Sequence, residues 1–256
     1  RSLCGAGPGY LLAIHMQRIL IFIGLSLLPT LTRGALPVQQ DTLVYLFPGQ
    51  GSDERLFKHL KLPPGYDTVH ISYPVPHKHE SLPAYALRFT DLIDTSSPYI
   101  LMGVSLGGMI CTELSDTLSP LRTVVISSAK SRLELPGRYT FQRHLRIYRI
   151  LPKGLIKGSA RLLQGIVEPD RRHDKATFKD MLKQKDPLYL KRTVDMIVSW
   201  GRISYPDDIV HIHGDSDHTI PVKNVSCDFL LEDGSHMMMI TRAPEINLLL
   251  VYILSH

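Results

Sequence analysis

The chain is poor in cysteine: only Cys4, Cys111 and Cys227 occur among its 256 residues. Cys4 lies in a segment set apart below, and two thiols build neither a disulfide framework nor a Cys-based zinc site. Cys111 falls in an expected core helix and Cys227 in an expected core strand, where a free thiol behaves as a small apolar residue. Long hydrophobic runs are equally scarce. The best candidate, Ile19 to Leu28, is too short to span a bilayer comfortably. There is no internal repeat and no low-complexity tract, which excludes a solenoid and a largely disordered chain. What is present is ordinary for a globular protein, with 44% hydrophobic residues and a mean hydropathy of +0.01. A chain of this length can bury one substantial core.

The apolar run has a context. From Met16 the chain reads MQRILIFIGLSLLPTLTRGALP, with basic Arg18 before the run, the helix breaker Pro29 after it, and small Thr32 and Gly34 beyond. That order of basic, apolar and small segments is what a secretory signal peptide requires. It predicts an exported protein, periplasmic or secreted, whose mature chain begins near Ala35. The alternative is an uncleaved leader that anchors the protein to a membrane. Residues 1–15 precede Met16 and read as upstream sequence outside the fold. Residues 1–40 are thus expected to form a leader.

The net charge of +5 conceals an asymmetry. Residues 130–205 carry 18 Lys and Arg against 7 Asp and Glu, whereas the rest of the chain carries 11 against 17. Such segregation suggests a surface element that meets an anionic partner. Nucleic acid is not expected, because no aromatic residues interleave with the basic ones as single-strand binding requires.

Short apolar runs alternate with helical patterns along the chain. Strands are predicted at 42–47, 68–73, 99–104, 121–127, 208–213 and 225–231, and helices at 53–60, 82–94, 106–118 and 237–254. The alternation implies crossover connections and a parallel sheet covered on both faces. The gap at 130–207 contains apolar residues at helical spacing, as in DMLKQKDPLYLKRTVDMIVSW. A helical insertion fits it better than a structureless loop of that length.

The chemistry concentrates in three motifs. Strand YILMG runs into Val104-Ser105-Leu106-Gly107-Gly108 and then a helix, the strand–turn–helix setting in which G-x-S-x-G exposes a nucleophile. A serine needs a base to take its proton, and the base needs an acid to orient it. HIHGDSDHTIP offers Asp217, with Asp215 as competitor, and EDGSHMM offers His236. A zinc reading of His211 to His218 fails on spacing, which has one residue too many before the last His. Along their strand His211 and His213 share one face, where a core or hydrogen-bonded role is expected.

The order Ser105, Asp217, His236, together with Gly214-Asp217-Ile220-Pro221 and Gly234-His236, resembles the α/β-hydrolase superfamily from about Thr42 to the end. The resemblance implies a mostly parallel sheet of roughly six strands, without the first two strands of some members, and a helical cap insertion. It divides the chain into a hydrolase core at 41–129 and 206–256 and a basic helical cap at 130–205. It also implies that the loop Leu46-Phe47-Pro48-Gly49-Gln50 supplies one oxyanion donor, so that the backbone N–H groups of Gln50 and Leu106 form the oxyanion hole. Pro48 stands there where His is commoner. Phe47-Pro48-Gly49-Gln50-Gly51-Ser52 by itself is similar to the opening of malonyl-CoA:ACP transacylases, but no counterpart of their small subdomain or substrate-binding arginine follows. The implied activity is hydrolysis of a small-molecule or lipid-like acyl ester through an acyl-enzyme, with no cofactor and no metal. A thioesterase or amidase, or a binding protein of the same fold without turnover, is the alternative.

Overall fold

The strand signals resolve into one sheet in a computed structural model of the chain, which describes residues 41–145 and 174–255. The strands are β1 Thr42–Phe47, β2 Tyr66–His70, β3 Tyr99–Val104, β4 Arg122–Ile126, β5 Ile209–Gly214 and β6 Phe229–Leu231. Their order is β2-β1-β3-β4-β5-β6, and every neighbouring pair is parallel. The expected leader at residues 1–40 and the centre of the expected cap lie outside the described residues. Among the described residues no helix is long and apolar enough to cross a membrane.

Alternation along the strands divides the core in two. On β1, Tyr45 and Phe47 enter one cluster with Tyr85, Ile110 and Trp200, while Val44 and Leu46 enter the other with Ile246 and Leu250. On β3, Leu101 and Met102 part in the same way. A two-residue side-chain period on a sheet buried from both sides produces this division. The first layer is closed by α1 Leu82–Leu87 and α2 Leu106–Leu114, the second by α6 Met238–Thr241 and α7 Ala243–Ser255. Between β4 and β5 the described helices are α3 Gly137–Leu145, α4 Lys175–Gln184 and α5 Pro187–Ser199. Helix α3 packs on α5, and α4 sends Phe178 and Met181 into the second layer.

Several elements are shorter than their sequence patterns predict, where a side chain takes over a backbone partner or proline removes one. The predicted helix at 53–60 is one 3-10 turn, Glu54–Phe57. Beyond it, Asn247 bonds both Lys61 N–H and the His59 carbonyl, at 3.0 Å each. Helix α1 stops where Thr90 Oγ1 donates to the Leu87 carbonyl at 2.8 Å, and α2 where Ser115 Oγ donates to that of Thr112 at 2.9 Å, a known competitor of helix propagation. Pro244, which lacks an N–H, separates α6 from α7. The last strand forms only at 229–231, because Ser226 N–H donates to Glu134 and the Ser226 carbonyl meets the His211 ring. Cys227 therefore lies before the strand, partly exposed, while Cys111 is buried in α2 as expected.

Candidate active site

Strand β3 delivers Ser105 to the carboxyl edge of the sheet with φ 53° and ψ −118°, a left-handed conformation rare for a residue with a side chain. Close packing enforces the turn. A Cβ on Gly107 would lie 2.0 Å from the Phe47 carbonyl oxygen, and one on Gly103 would lie 2.3 Å from the Gly107 carbonyl. Ser105 N–H donates to the Ile126 carbonyl at 3.0 Å, and Ser128 Oγ donates to the Ser105 carbonyl at 2.6 Å. The serine is thus clamped from the neighbouring strand.

The loop after β1 presses against this turn. Ser52 N–H donates to the Gly49 carbonyl at 3.1 Å, closing a turn in which Gly51 takes φ +80°, the position where a type II turn needs glycine. The Gly49 Cα faces the Ser105 side chain, so closely that an added Cβ would sit 3.3 Å from Ser105 Cβ. The loop is held from outside as well. Tyr73 OH donates to the Pro48 carbonyl at 2.9 Å, and Gln50 Nε2 donates to Thr193 Oγ1 at 2.7 Å and the Leu190 carbonyl at 3.3 Å. Helix α5 therefore grips the loop whose Gln50 N–H was expected to bind an oxyanion. Leu106, the other expected donor, opens α2, so its N–H has no carbonyl one turn back within the helix.

The acid and base loops are drawn together by two glycines. A Cβ on Gly214 would meet the Gly234 carbonyl oxygen at 2.0 Å, and Ser216 N–H donates to that same carbonyl at 3.0 Å. On these loops Asp217 is buried and Asp215 exposed. Asp217 Oδ2 lies 2.8 Å from His236 Nδ1, and His236 Nε2 lies 2.9 Å from Ser105 Oγ. Asp217 Oδ1 accepts from the N–H groups of Thr219 and Ile220, at 2.8 Å each. Burial works against ionisation of Asp217. The charge and hydrogen bond of His236, with help from His213 and the Ile220 N–H, outweigh it and hold the carboxyl below its ordinary range. The three residues proposed from their motifs converge, and Asp215 reaches only Ser216, at 3.1 Å.

Behind Asp217 stands a pair of buried histidines. His213 Nε2 lies 2.8 Å from the Ile220 carbonyl and 3.6 Å from Asp217 Oδ2; its Nδ1 lies 3.1 Å from His211 Nε2. His211 Nδ1 in turn lies 3.1 Å from the Ser226 carbonyl. Burial pushes both pKa values down, His211 far down; the neighbouring His213 and Lys130 add to the effect at His211, while Asp217 opposes it at His213. Two neutral rings carry two N–H groups for three contacts, so with His213 donating to the Ile220 carbonyl, the single N–H of His211 serves either the Ser226 carbonyl or the His213 ring. Among the described residues no group of three or more His, Cys, Asp or Glu side chains is placed to hold a metal ion.

Ser105 and His236 open into a cavity of about 310 Å³. Its walls are mainly apolar and include Leu56, Met109, Phe178, Met181, Leu182 and Ile197, with Gln50, Ser52, Thr219 and Arg138 as polar members. Three features were not singled out from sequence: the grip of Thr193 on Gln50, the backing of Asp217 by His213, and the presence of Arg138 in the cavity. Sequence periodicity marks α5 as amphipathic but does not say that Thr193 faces a loop 143 positions away.

A parallel sheet with a strained serine at its carboxyl edge, a histidine and a buried carboxylate within hydrogen-bond reach, and an apolar cavity above them define a hydrolase of the α/β class. The chain belongs to the alpha/beta hydrolase family, whose model matches residues 22–247. Solved structures agree on the fold. The enol-lactonase from Burkholderia xenovorans LB400 is 14% identical, with a TM-score of 0.65 over 84% of this chain and 92% of that one. A hydrolase from Pseudomonas aeruginosa PA01 is 15% identical, with a TM-score of 0.63 over 84% and 91%. A thermophilic esterase from Thermogutta terrifontis is 13% identical, with a TM-score of 0.60 over 84% and 90%. No curated protein matches the chain in sequence.

Proposed function

We propose that the protein hydrolyses carboxylic esters through an acyl-enzyme on Ser105. The observation that carries this reading is the continuous hydrogen-bonded line from Asp217 through His236 to Ser105 Oγ at the floor of an apolar cavity. His236 Nε2 takes the Ser105 proton as Oγ attacks the carbonyl, and Asp217 holds the imidazole with Nδ1 protonated and offsets the charge it gains. The N–H groups of Gln50 and Leu106 bind the oxygen that becomes negative, an interaction worth about 3 kcal/mol per donor in related sites. His236 then gives its proton to the departing alkoxide, so the alcohol leaves neutral. Water, deprotonated by the same His236, attacks the acyl-Ser105 carbonyl; the Oγ–acyl bond breaks, His236 returns its proton to Ser105 Oγ, and the acid leaves. The apolar walls suit an acyl chain.

A fluorophosphonate probe tests the nucleophile, and one acyl group presented as oxygen ester, thioester and anilide tests the leaving group. The expected outcome is labelling at Ser105, fastest turnover of the oxygen ester, and loss of both labelling and turnover in Ser105→Ala and His236→Ala. Triads of this kind lose roughly a million-fold on such changes. Retention of more than about a hundredth of the rate in either variant rules out the mechanism. A thioester cleaved far faster than its oxygen ester moves the enzyme to the thioesterases.

A further inference from the structure

The cavity above Ser105 contains a charge that hydrolysis itself does not use. Among the described residues that line it there is no Asp or Glu, and besides His236 the sole cationic side chain is Arg138. Arg138 is the second residue of α3, and its placement is defined at two points. Its Nη2 donates to the Thr219 carbonyl, and its guanidinium lies 5.4 Å from the Tyr139 ring centre. Thr219 belongs to the loop that holds Asp217, since Thr219 N–H donates to the Asp217 carboxylate at 2.8 Å. The guanidinium is thus tied to the same loop as the proposed acid. Burial pushes the Tyr139 phenol up, and the adjacent Arg138 works against that shift, in keeping with a cation seated beside it.

A guanidinium has five N–H donors, and only an anionic partner with two acceptor oxygens matches its fork fully. Among the described residues no carboxylate pairs with Arg138. Arg138 lines the cavity but is itself exposed; a cation there without a paired acid attracts negative charge, an attraction that dissolved salt screens.

We propose that Arg138 is an anion-binding subsite of this cavity, and that the substrate is an ester carrying a free carboxylate elsewhere in the molecule. The proposal rests on the ester-hydrolase reading and adds the substrate class to it. The carboxylate accepts from the Arg138 N–H groups not engaged by Thr219 or the Tyr139 hydroxyl, and the apolar wall accommodates the carbon chain between it and the ester. The acid then leaves as a dicarboxylate if the charge is on the acyl side, or the alcohol leaves with the charge if it is on the other side.

The test compares rates for pairs that differ chiefly in charge. Monomethyl adipate against dimethyl adipate places the carboxylate on the acyl side; O-butyryl glycolate against its neutral isostere O-butyryl glycolamide places it on the leaving side. For one of the two pairs the wild-type protein is expected to favour the anionic ester in kcat/KM by about tenfold or more, as a charge-assisted hydrogen bond allows. Arg138→Gln should abolish that preference mainly through KM, and Arg138→Lys should retain part of it. The ratio within each pair is the readout, because loosening the Thr219 loop slows both esters together and leaves their ratio intact. No anionic preference in either pair, or a preference that survives Arg138→Gln, overturns the proposal. Calorimetric binding of monomethyl adipate and of O-butyryl glycolate to Ser105→Ala, with and without Arg138→Gln, reads the subsite without turnover. Failure of the ester reading would therefore show as absent hydrolysis, and failure of the subsite as binding of both ligands that ignores residue 138.

Discussion

Asp215 and Asp217 stand on one loop, two positions apart, and their surroundings give them different chemistry. Asp217 is enclosed, accepts two backbone N–H bonds on one oxygen and faces His236 with the other. Asp215 points outward to Ser216. Asn at 217 would keep the shape, but with its oxygen held by the Thr219 and Ile220 N–H groups its NH2 would face His236 Nδ1, favouring the wrong tautomer. A fall in kcat of about ten-thousand-fold is expected for Asp217→Asn, with a change of at most about threefold for Asp215→Asn, as for an exposed site outside the hydrogen-bonded line. Steady-state kinetics on a short-chain p-nitrophenyl ester would decide. If Asp215→Asn were the more damaging, the acid would have been wrongly placed.

Among the elements, helix α5 and the loop after β1 form a unit that neither makes alone. The buried Thr193 hydroxyl accepts from the Gln50 side chain and lies 2.9 Å from the Tyr189 carbonyl one turn back, to which it can donate. It relays the regular backbone of the helix to the loop whose Gln50 N–H is the proposed oxyanion donor. Thr193→Val removes this relay while preserving shape. It should lower kcat by about tenfold while KM changes little, since an oxyanion donor acts in the transition state. Thr193→Ser should restore most of the rate. A boronic acid that forms a tetrahedral adduct on Ser105 should lose affinity in parallel with kcat. Loss of stability with an unchanged kcat would reduce the contact to packing.

For the molecule as a whole, the buried histidine pair links stability to pH. His211 and His213 face Asp217, Lys130 and the carbonyls of Ser226 and Ile220, and burial keeps both folded pKa values below that of a free histidine. The unfolded chain therefore takes up protons first as pH falls. Stability from this pair is complete above about pH 6.5 and declines below it, by at most about 1.4 kcal/mol per pH unit for each histidine. Asp217, also depressed, adds its loss in a lower window, below the ordinary carboxylate range. Urea unfolding at pH 7.5 and 5.5 should show the wild type losing stability, with a shallower slope in His211→Gln. A flat wild-type profile across this window would mean that the pair already carries an extra proton in the fold.

Much of this architecture is local and was legible along the chain. The continuous apolar runs at β1 and β3 mark strands covered on both faces, and the glycines around Ser105 meet steric needs within a few residues, so the parallel sheet and the serine turn could be read directly. The order of Ser105, Asp217 and His236 named the three side chains that now meet. The ends of helices were less legible, because Asn247, Thr90 and Ser115 compete for backbone groups in ways that periodicity does not register. The burial that sets Asp217 apart from Asp215, the grip of Thr193 on Gln50 and the seating of Arg138 against Thr219 were decided only in three dimensions. Each joins residues far apart in the chain or depends on which face of a loop is buried. Sequence motifs specify the residue types that chemistry needs, while desolvation and donor direction, which set their roles, exist only after the sheet and the inserted helices have packed.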